Sequence, residues 1–426
     1  MPTLPGANRL EPPESAPIFR LIFSPRMLVA FLMGFSCGLP LLLTGSVLQA
    51  WMSDAGVDLG LIGLLSLVGL PYTFKFLWAP FLDRYAPPIF GRRRGWLLLS
   101  QIFVVFAIIG IALSNPGNRP SLVILAAFWV CFFSASQDVV VDAYRREDLS
   151  DRELGLGSSL YVSGYRVGML LAGGGGLILA DRITFSLVYF IMAACMIPGM
   201  VTTLLAPEPP VFFGTPQTLR QAVLDPLREY FSRDSALWIL LFIILYKIGD
   251  VMAGAMTTPF YLAIGYTKTQ IGAVVKLFGF WATIGGGLAG GVMMLRLGIY
   301  RGLWWFGILQ ALSTGCFAIL TQIEPSVSAL ACVIAFENLS GGMGTAAFAA
   351  YLAGLTHKRY TATQYSLLTS IMGIPRVFAA ATTGYLAEFA GWGWFFIFCT
   401  VIAIPGLVLL KTMVGLDNRF GHPQME

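Results

Sequence analysis

The sequence predicts an all-α integral membrane protein of twelve transmembrane helices arranged as two halves of six. Of its 426 residues, 57% are hydrophobic and only 12% are charged, whereas soluble proteins carry about 25% charged residues. A helix needs about 20 apolar residues to cross a bilayer, and the chain contains twelve such stretches. We number them span 1 to span 12, and they cover 27–50, 61–82, 96–114, 122–144, 156–180, 184–205, 236–261, 268–294, 301–321, 326–355, 363–389 and 392–413.

The polar segments between these spans are short, and they divide the chain. The predicted parts are a cytoplasmic N-terminal tail at 1–26, a first half at 27–206, a cytoplasmic connecting loop at 207–235, a second half at 236–413 and a cytoplasmic C-terminal tail at 414–426. The first tail lacks the pattern of a secretory signal peptide. The connecting loop contains LRQAVLDPLREYF, which is typical of an amphipathic helix at a membrane surface.

Lysine and arginine are distributed unequally between the two sides that the spans define. With a cytoplasmic N-terminus, 19 of the 27 cations fall in cytoplasmic segments, three fall on the opposite side and five fall within spans. Cytoplasmic loops carry the excess of Lys and Arg in membrane proteins. Both termini are therefore predicted to be cytoplasmic.

Weak internal repeats support a duplicated architecture. PSLVILAA at 120–127 opens span 4 and is similar to PSVSALAC at 325–332, which opens span 10; Arg166-Val167 in span 5 is repeated by Arg376-Val377 in span 11. Parallel halves of six spans with a central site between them are the plan of major facilitator transporters. This is the predicted fold.

Two aspartates, Asp138 and Asp142, lie within the apolar run of span 4. Residues four apart share one helix face, and carboxylates within spans almost always face the bundle interior or a water-filled cavity. Both histidines, His357 and His422, fall outside the spans, so a carboxylate is left to exchange protons inside the membrane. We predict Asp138, and secondly Asp142, as proton-coupling residues; the alternative for Asp142 is a solvated residue at the helix end.

Five cations and four acids lie within the spans, which gives an excess of about one positive charge that suits an anionic substrate. By depth along their helices, Lys75 and Arg166 are the expected partners of the two aspartates. Lys247 and Asp250, three residues apart, can pair with each other. Structural ion pairs that fix helix packing are the alternative. The candidates for substrate binding or for the charge network are Lys75, Gln137, Tyr165, Arg166, Lys247, Asp250, Lys276, Glu337, Asn338 and Arg376.

The segment DRYAPPIFGRRRG at 83–95 lies between spans 2 and 3. It looks like the cytoplasmic loop signature of major facilitators, in which an acid and arginines hold helix ends together in one conformation, although its Pro-Pro insertion makes it longer. The predicted cytoplasmic gate consists of Asp83, Arg84, Arg92, Arg93 and Arg94.

Several longer stretches resemble the AmpG family of muropeptide permeases, a branch of the major facilitators. They are FSCGLPLLLTGSVLQAWM at 35–52, FKFLWAPFLDRYAPPIFGRRRGWLL at 74–98, SASQDVVVDAYRRE at 134–147, GYRVGML at 164–170, LYKIGD at 245–250 and FENLSGGMGTAAF at 336–348. The resemblance implies proton-coupled import of GlcNAc-1,6-anhydro-MurNAc peptides across the bacterial inner membrane. It also points to Lys75, Asp138 and Asp142. Some relatives carry two further C-terminal spans, so the range of ligands is expected to differ.

Two other functions remain open from the residues alone. One is transport of another large organic anion, for which the related acetyl-CoA transporters are the nearest case; the other is a receptor that binds a ligand without transport. An enzyme is disfavoured because no span pairs a nucleophile with a base. The six cysteines fall within spans without metal-ligand spacing and are expected to be small apolar side chains. The expected partners are the lipid bilayer and an anionic amino-sugar peptide, with no metal, no nucleic acid and a monomeric state.

Overall fold

The computed structural model describes residues 21–57, 67–210, 218–232, 235–267, 270–357 and 360–420, and the regular structure within these ranges is helical. Ten of the described helices are long and apolar enough to cross a membrane. Their bounds are Pro25–Asp54 for span 1, Arg92–Leu113 for span 3, Pro120–Asp148 for span 4, Leu154–Ala180 for span 5, Phe185–Leu205 for span 6, Ala236–Ala263 for span 7, Ile271–Leu297 for span 8, Ile299–Leu320 for span 9, Val327–Gly354 for span 10 and Trp392–Thr412 for span 12.

The other two predicted spans are also helical where they are described. Span 11 is the helix Thr361–Ala390, and span 2 is built from Leu70–Phe74, a 3₁₀ turn at Lys75–Leu77 and Ala79–Arg84. Pro80 lies in the first turn of the last piece. Because proline has no N–H to donate to the preceding turn, the α-helix is interrupted before Pro80. Lys75 begins the 3₁₀ turn at this interruption.

Glycines allow helix backbones of the first half to approach closely. A Cβ atom on Gly164 of span 5 would lie 2.0 Å from the carbonyl oxygen of Phe31 in span 1, and one on Gly38 would lie 1.9 Å from the carbonyl oxygen of Tyr165. In the second half, a Cβ atom on Gly286 of span 8 would lie 2.1 Å from the carbonyl oxygen of Leu339 in span 10. Small residues at such contacts bring helices together where lipid offers no hydrophobic driving force.

The two six-helix halves meet through a small set of helices. Span 5 packs against spans 8 and 10, and span 11 packs against spans 2 and 4. The hydroxyl of Ser159 in span 5 donates to the carbonyl oxygen of Gly287 in span 8, and Arg145 of span 4 donates to the hydroxyl of Tyr365 in span 11 at 3.0 Å. We call the end of the bundle that carries these contacts the closed end.

A helix within the predicted connecting loop covers the closed end. This connecting helix, Leu219–Phe231, begins with a capping box formed by Thr218 and Gln221 and packs against spans 2 and 11. Gln364 of span 11 donates to the carbonyl oxygen of Pro226 at 3.2 Å. The connecting helix therefore contacts both halves, where they already touch.

The close contact of spans 1 and 5 predicts a specific sensitivity. Gly164→Ala places a methyl group against the backbone oxygen of Phe31, which cannot move aside without separating the helices. We expect a loss of about 1–3 kcal/mol in stability, measured as a lower melting temperature of the purified protein in detergent.

Gly174→Ala is the matched control, since its Cβ atom would meet only the side chain of Leu170, at 3.5 Å. Equal melting temperatures for the two variants would contradict the packing described for Gly164.

Candidate functional site

The two aspartates of span 4 are buried on one face of the helix, close to Lys75. Asp138 is 6% exposed and Asp142 is 4% exposed, and Lys75 is 8% exposed. Lys75 interacts electrostatically with both carboxylates, but among the described residues its ammonium makes no N–O contact with either within 4 Å. The oxygen Oδ1 of Asp138 is buried and has no hydrogen-bond partner in the described structure. Asp138 is therefore the less satisfied of the two carboxylates.

The ion partner of Asp142 differs from the sequence expectation. Arg145, which the sequence places among the cytoplasmic cations, lies 3.2 Å from Asp142 and is 2% exposed. Its guanidinium also lies 4.4 Å from the centre of the Tyr161 ring and donates to Tyr365. The position of Arg145 three residues after Asp142 was visible in the sequence, but its contact with span 11 depends on packing between the halves.

Arg166 is not a partner of the two aspartates. It is half-buried, and the carboxylate within its electrostatic reach is Asp250 of span 7. The reason is helix geometry: Arg166 continues the face of span 5 that carries Ser159 and Ser163, and this face points to the second half. The expectation that Arg166 pairs within the first half is wrong.

A second group of polar side chains lies inside the second half. The ammonium of Lys247 lies 3.2 Å from Asp250 and 3.4 Å from Oε1 of Gln310 in span 9. Glu337 of span 10 accepts from the hydroxyl of Ser313 at 2.6 Å. The predicted contact between Lys247 and Asp250 is present. Gln310 was not singled out from the sequence, although a glutamine within the apolar span 9 was a signal for it.

The remaining candidates are spread over the bundle. Gln137 is fully buried and donates to Ser36 at 3.1 Å, whereas Tyr165 is half-buried with its ring 6.2 Å from that of Tyr161. Asn338 accepts from Thr283 at 2.7 Å and so joins spans 8 and 10. Lys276 is exposed on span 8, and the side chain of Arg376 lies outside the described part of the chain.

The predicted gate residues form a buried network at the closed end. Arg93 donates to Asp83 at 2.8 Å and to Glu147 at 2.6 Å, and Arg92 lies 3.1 Å from Glu147. The other oxygen of Asp83 accepts from the backbone N–H and the hydroxyl of Thr363, at 2.9 and 2.7 Å. Thr363 lies in the first turn of span 11, where free N–H groups and the helix dipole favour a negative charge.

The other two arginines lie at the edge of this network. The side chain of Arg94 donates to the carbonyl oxygen of Thr203 at 3.0 Å. Arg84 is half-buried, with its guanidinium 5.2 Å from the centre of the Tyr85 ring. Glu147 and Thr363, which complete the link between the halves, were not foreseen because they are distant from the loop in sequence.

Comparison with known proteins assigns the chain to a family. Residues 26–380 match the model of the Major Facilitator Superfamily. The chain is 44% identical over 398 residues to the anhydromuropeptide permease of Escherichia coli (strain K12), a match that covers 93% of this chain and 81% of that protein. The chain belongs to the AmpG family of major facilitators. It is also 42% identical to an uncharacterized protein of Haemophilus influenzae, over 93% of this chain and 96% of that one.

A solved structure supports the fold of this AmpG-family protein. The proton:xylose symporter XylE, bound to 6-bromo-6-deoxy-D-glucose, matches with a TM-score of 0.67 and 12% identity, over 92% of this chain and 95% of that chain. At this identity the match concerns the fold alone. The predictions of an all-α, multi-pass membrane protein with the major facilitator fold, and of a transporter rather than an enzyme, are confirmed.

The gate network predicts that Asp83 stabilises the closed end. Asp83→Asn removes the charge that Arg93 and the first turn of span 11 share, and loss of one partner of a buried pair costs about 3–5 kcal/mol. We expect a Ser159→Cys reporter, buried in this structure, to react with a maleimide at least about tenfold faster in this variant. The measurement uses a chain whose six native cysteines are replaced.

Asp151→Asn is the matched control, because Asp151 lies at the same end, pairs with Arg146 at 2.7 Å and has a 48% exposed side chain. An exposed pair contributes at most about 1 kcal/mol, so the reporter is expected to keep its slow rate. Slow labelling in Asp83→Asn as well would remove Asp83 from the gate.

Proposed function

We propose that the protein imports cell-wall breakdown products, GlcNAc-1,6-anhydro-MurNAc peptides, across the bacterial inner membrane by proton-coupled alternating access. The substrate class is supported by the anhydromuropeptide permease of Escherichia coli, which covers nearly the whole chain. Three cations, Lys75, Arg166 and Lys247, lie inside the bundle, which suits a substrate that carries carboxylates. The coupling ion is a proton, and no other cofactor takes part.

The inference of proton coupling rests on Asp138, whose oxygen Oδ1 is buried without a hydrogen-bond partner in the described structure. Burying an ionised carboxylate with one oxygen lacking a hydrogen-bond partner is costly, and a bound proton removes the charge. Lys75 is near enough to interact with the ionised form, yet it is not in contact with it. Asp138 can therefore exist in two states, one protonated and one ionised with Lys75 drawn towards it.

The closed end is the cytoplasmic end in this proposal. It carries Arg84, the arginines at 92–94 and the turn after span 4, which belong to the segments richest in Lys and Arg. With the cytoplasmic end sealed, the arrangement corresponds to a state that receives substrate from the periplasm.

The cycle then follows from the contacts that join the halves. Asp138 takes a proton from the periplasm and the substrate binds between the halves. The contacts of Asp83 with Thr363 and of Arg145 with Tyr365 separate as the halves rock. Asp138 releases its proton to the cytoplasm when Lys75 pairs with it, and Asp142 with Arg145 lies on the exit side.

Uptake by proteoliposomes tests this function with Asp138→Asn. With a pH difference of about one unit, acidic outside, one coupled proton supplies about 1.4 kcal/mol, so the wild type is expected to accumulate labelled anhydromuropeptide about tenfold. The variant keeps the size of the side chain but cannot exchange a proton. We expect it to exchange substrate without accumulating it.

Asp181→Asn is the control, since Asp181 is an exposed carboxylate in the turn after span 5; it is expected to accumulate substrate like the wild type. Full accumulation by Asp138→Asn would remove Asp138 from coupling. Uptake of labelled acetyl-CoA but not of labelled anhydromuropeptide by the wild type would instead favour a carrier of another large organic anion.

A further inference from the structure

Arg166 extends from the first half towards the second without a partner of its own. Among the described residues it makes no hydrogen bond or ion pair, and Asp250 is the carboxylate within its electrostatic reach. An arginine has five N–H donors, which match a carboxylate in a bidentate manner. The donors of Arg166 are not among the buried groups that lack a partner, so they are open to solvent and available to a ligand that supplies acceptors.

Spans 5 and 8 are in contact between Arg166 and the closed end. Ser159 donates to Gly287 across the halves, and a Cβ atom on Gly287 would lie 3.7 Å from the hydroxyl of Ser163. Arg166 follows seven residues after Ser159 on the same helix, about 10 Å along its axis at ~1.5 Å per residue. Arg166 is half-buried, so part of its side chain is accessible to a ligand that lies between the halves.

The residue opposite, Asp250, pairs with Lys247 and lies within electrostatic reach of Arg166. Lys247 holds it at 3.2 Å, while Gln310 behind Lys247 accepts from the same ammonium at 3.4 Å. Lys247 is buried, but the side chain of Asp250 is 31% exposed. Asp250 is thus a carboxylate of the protein that contacts Lys247 and lies within electrostatic reach of Arg166, the two cations that a substrate carboxylate would meet.

We propose that Arg166 and Lys247 bind a free carboxylate of the substrate from opposite halves, and that Asp250 is the internal competitor that holds Lys247 until the substrate arrives. This inference rests on the proposed function and adds the substrate group that is recognised. A carboxylate placed between the halves draws Arg166 of span 5 and Lys247 of span 7 towards one point. Substrate binding therefore draws span 5 and span 7, and with them the two halves, towards each other.

The test compares two ligands that differ only in charge. Binding to the purified full-length protein in lipid nanodiscs is measured for an anhydromuropeptide with free carboxylates and for the same molecule with every carboxylate converted to a primary amide. We expect the wild type to bind the free acid about 10–100-fold more tightly, the range expected for hydrogen bonds between charged groups.

Variants then show which residues produce the preference for the free acid over the amide. Arg166→Gln and Lys247→Gln are each expected to reduce it to less than about threefold, whereas Lys276→Gln, which removes an exposed span cation, is expected to retain it. Asp250→Asn removes the competitor and is expected to bind the free acid more tightly than the wild type, by about threefold or more. Size-exclusion chromatography checks the fold of each variant, and Arg166→Gln tests the site even where a Lys247 or Asp250 variant does not fold.

The outcomes separate the inference from the function on which it rests. Equal binding of both ligands by the wild type, or an unchanged preference in Arg166→Gln, would overturn the carboxylate site while leaving import intact. Failure of the wild type to bind either ligand would overturn the proposed substrate and, with it, this site.

Discussion

A charged side chain in the hydrocarbon of a bilayer costs several kcal/mol unless it is paired or neutralised, and this cost governs the arrangement of the bundle. Arg93 lies between Asp83 and Glu147, Arg145 meets Asp142, and Lys247 meets Asp250. Asp138 differs, because one of its oxygens is buried without a hydrogen-bond partner in the described structure. A bound proton removes the negative charge of this carboxylate.

The position of Asp138 ties this requirement to the contact between the halves. Asp138, Asp142 and Arg145 follow one another at intervals of four and three residues and so share one face of span 4. Arg145 at the lower end of this face donates to Tyr365 of span 11. A change of charge at Asp138 therefore alters the electrostatic environment of Asp142, which pairs with Arg145, the arginine that joins the halves. The proposed coupling at Asp138 therefore makes protonation and opening of the closed end one equilibrium.

The sequence predicted those features that depend on local spacing. The spans follow from apolar length, the shared face of Asp138 and Asp142 from a separation of four residues, and the contact of Lys247 with Asp250 from a separation of three. Local spacing does not predict contacts between distant segments. Thr363 lies 280 residues from Asp83, and Tyr365 lies 220 residues from Arg145. The expected partners of Arg166 lie in the wrong half for a related reason, since depth along a helix does not give the direction of a side chain around it.

Proton movement that accompanies substrate movement is the most direct measure of coupling. Wild-type proteoliposomes that contain a pH-sensitive dye and have no imposed pH difference would receive anhydromuropeptide on the outside only. Proton coupling at Asp138 predicts that inward movement of substrate acidifies the interior, and that a protonophore abolishes the signal. Substrate uptake without any acidification of the interior would contradict it.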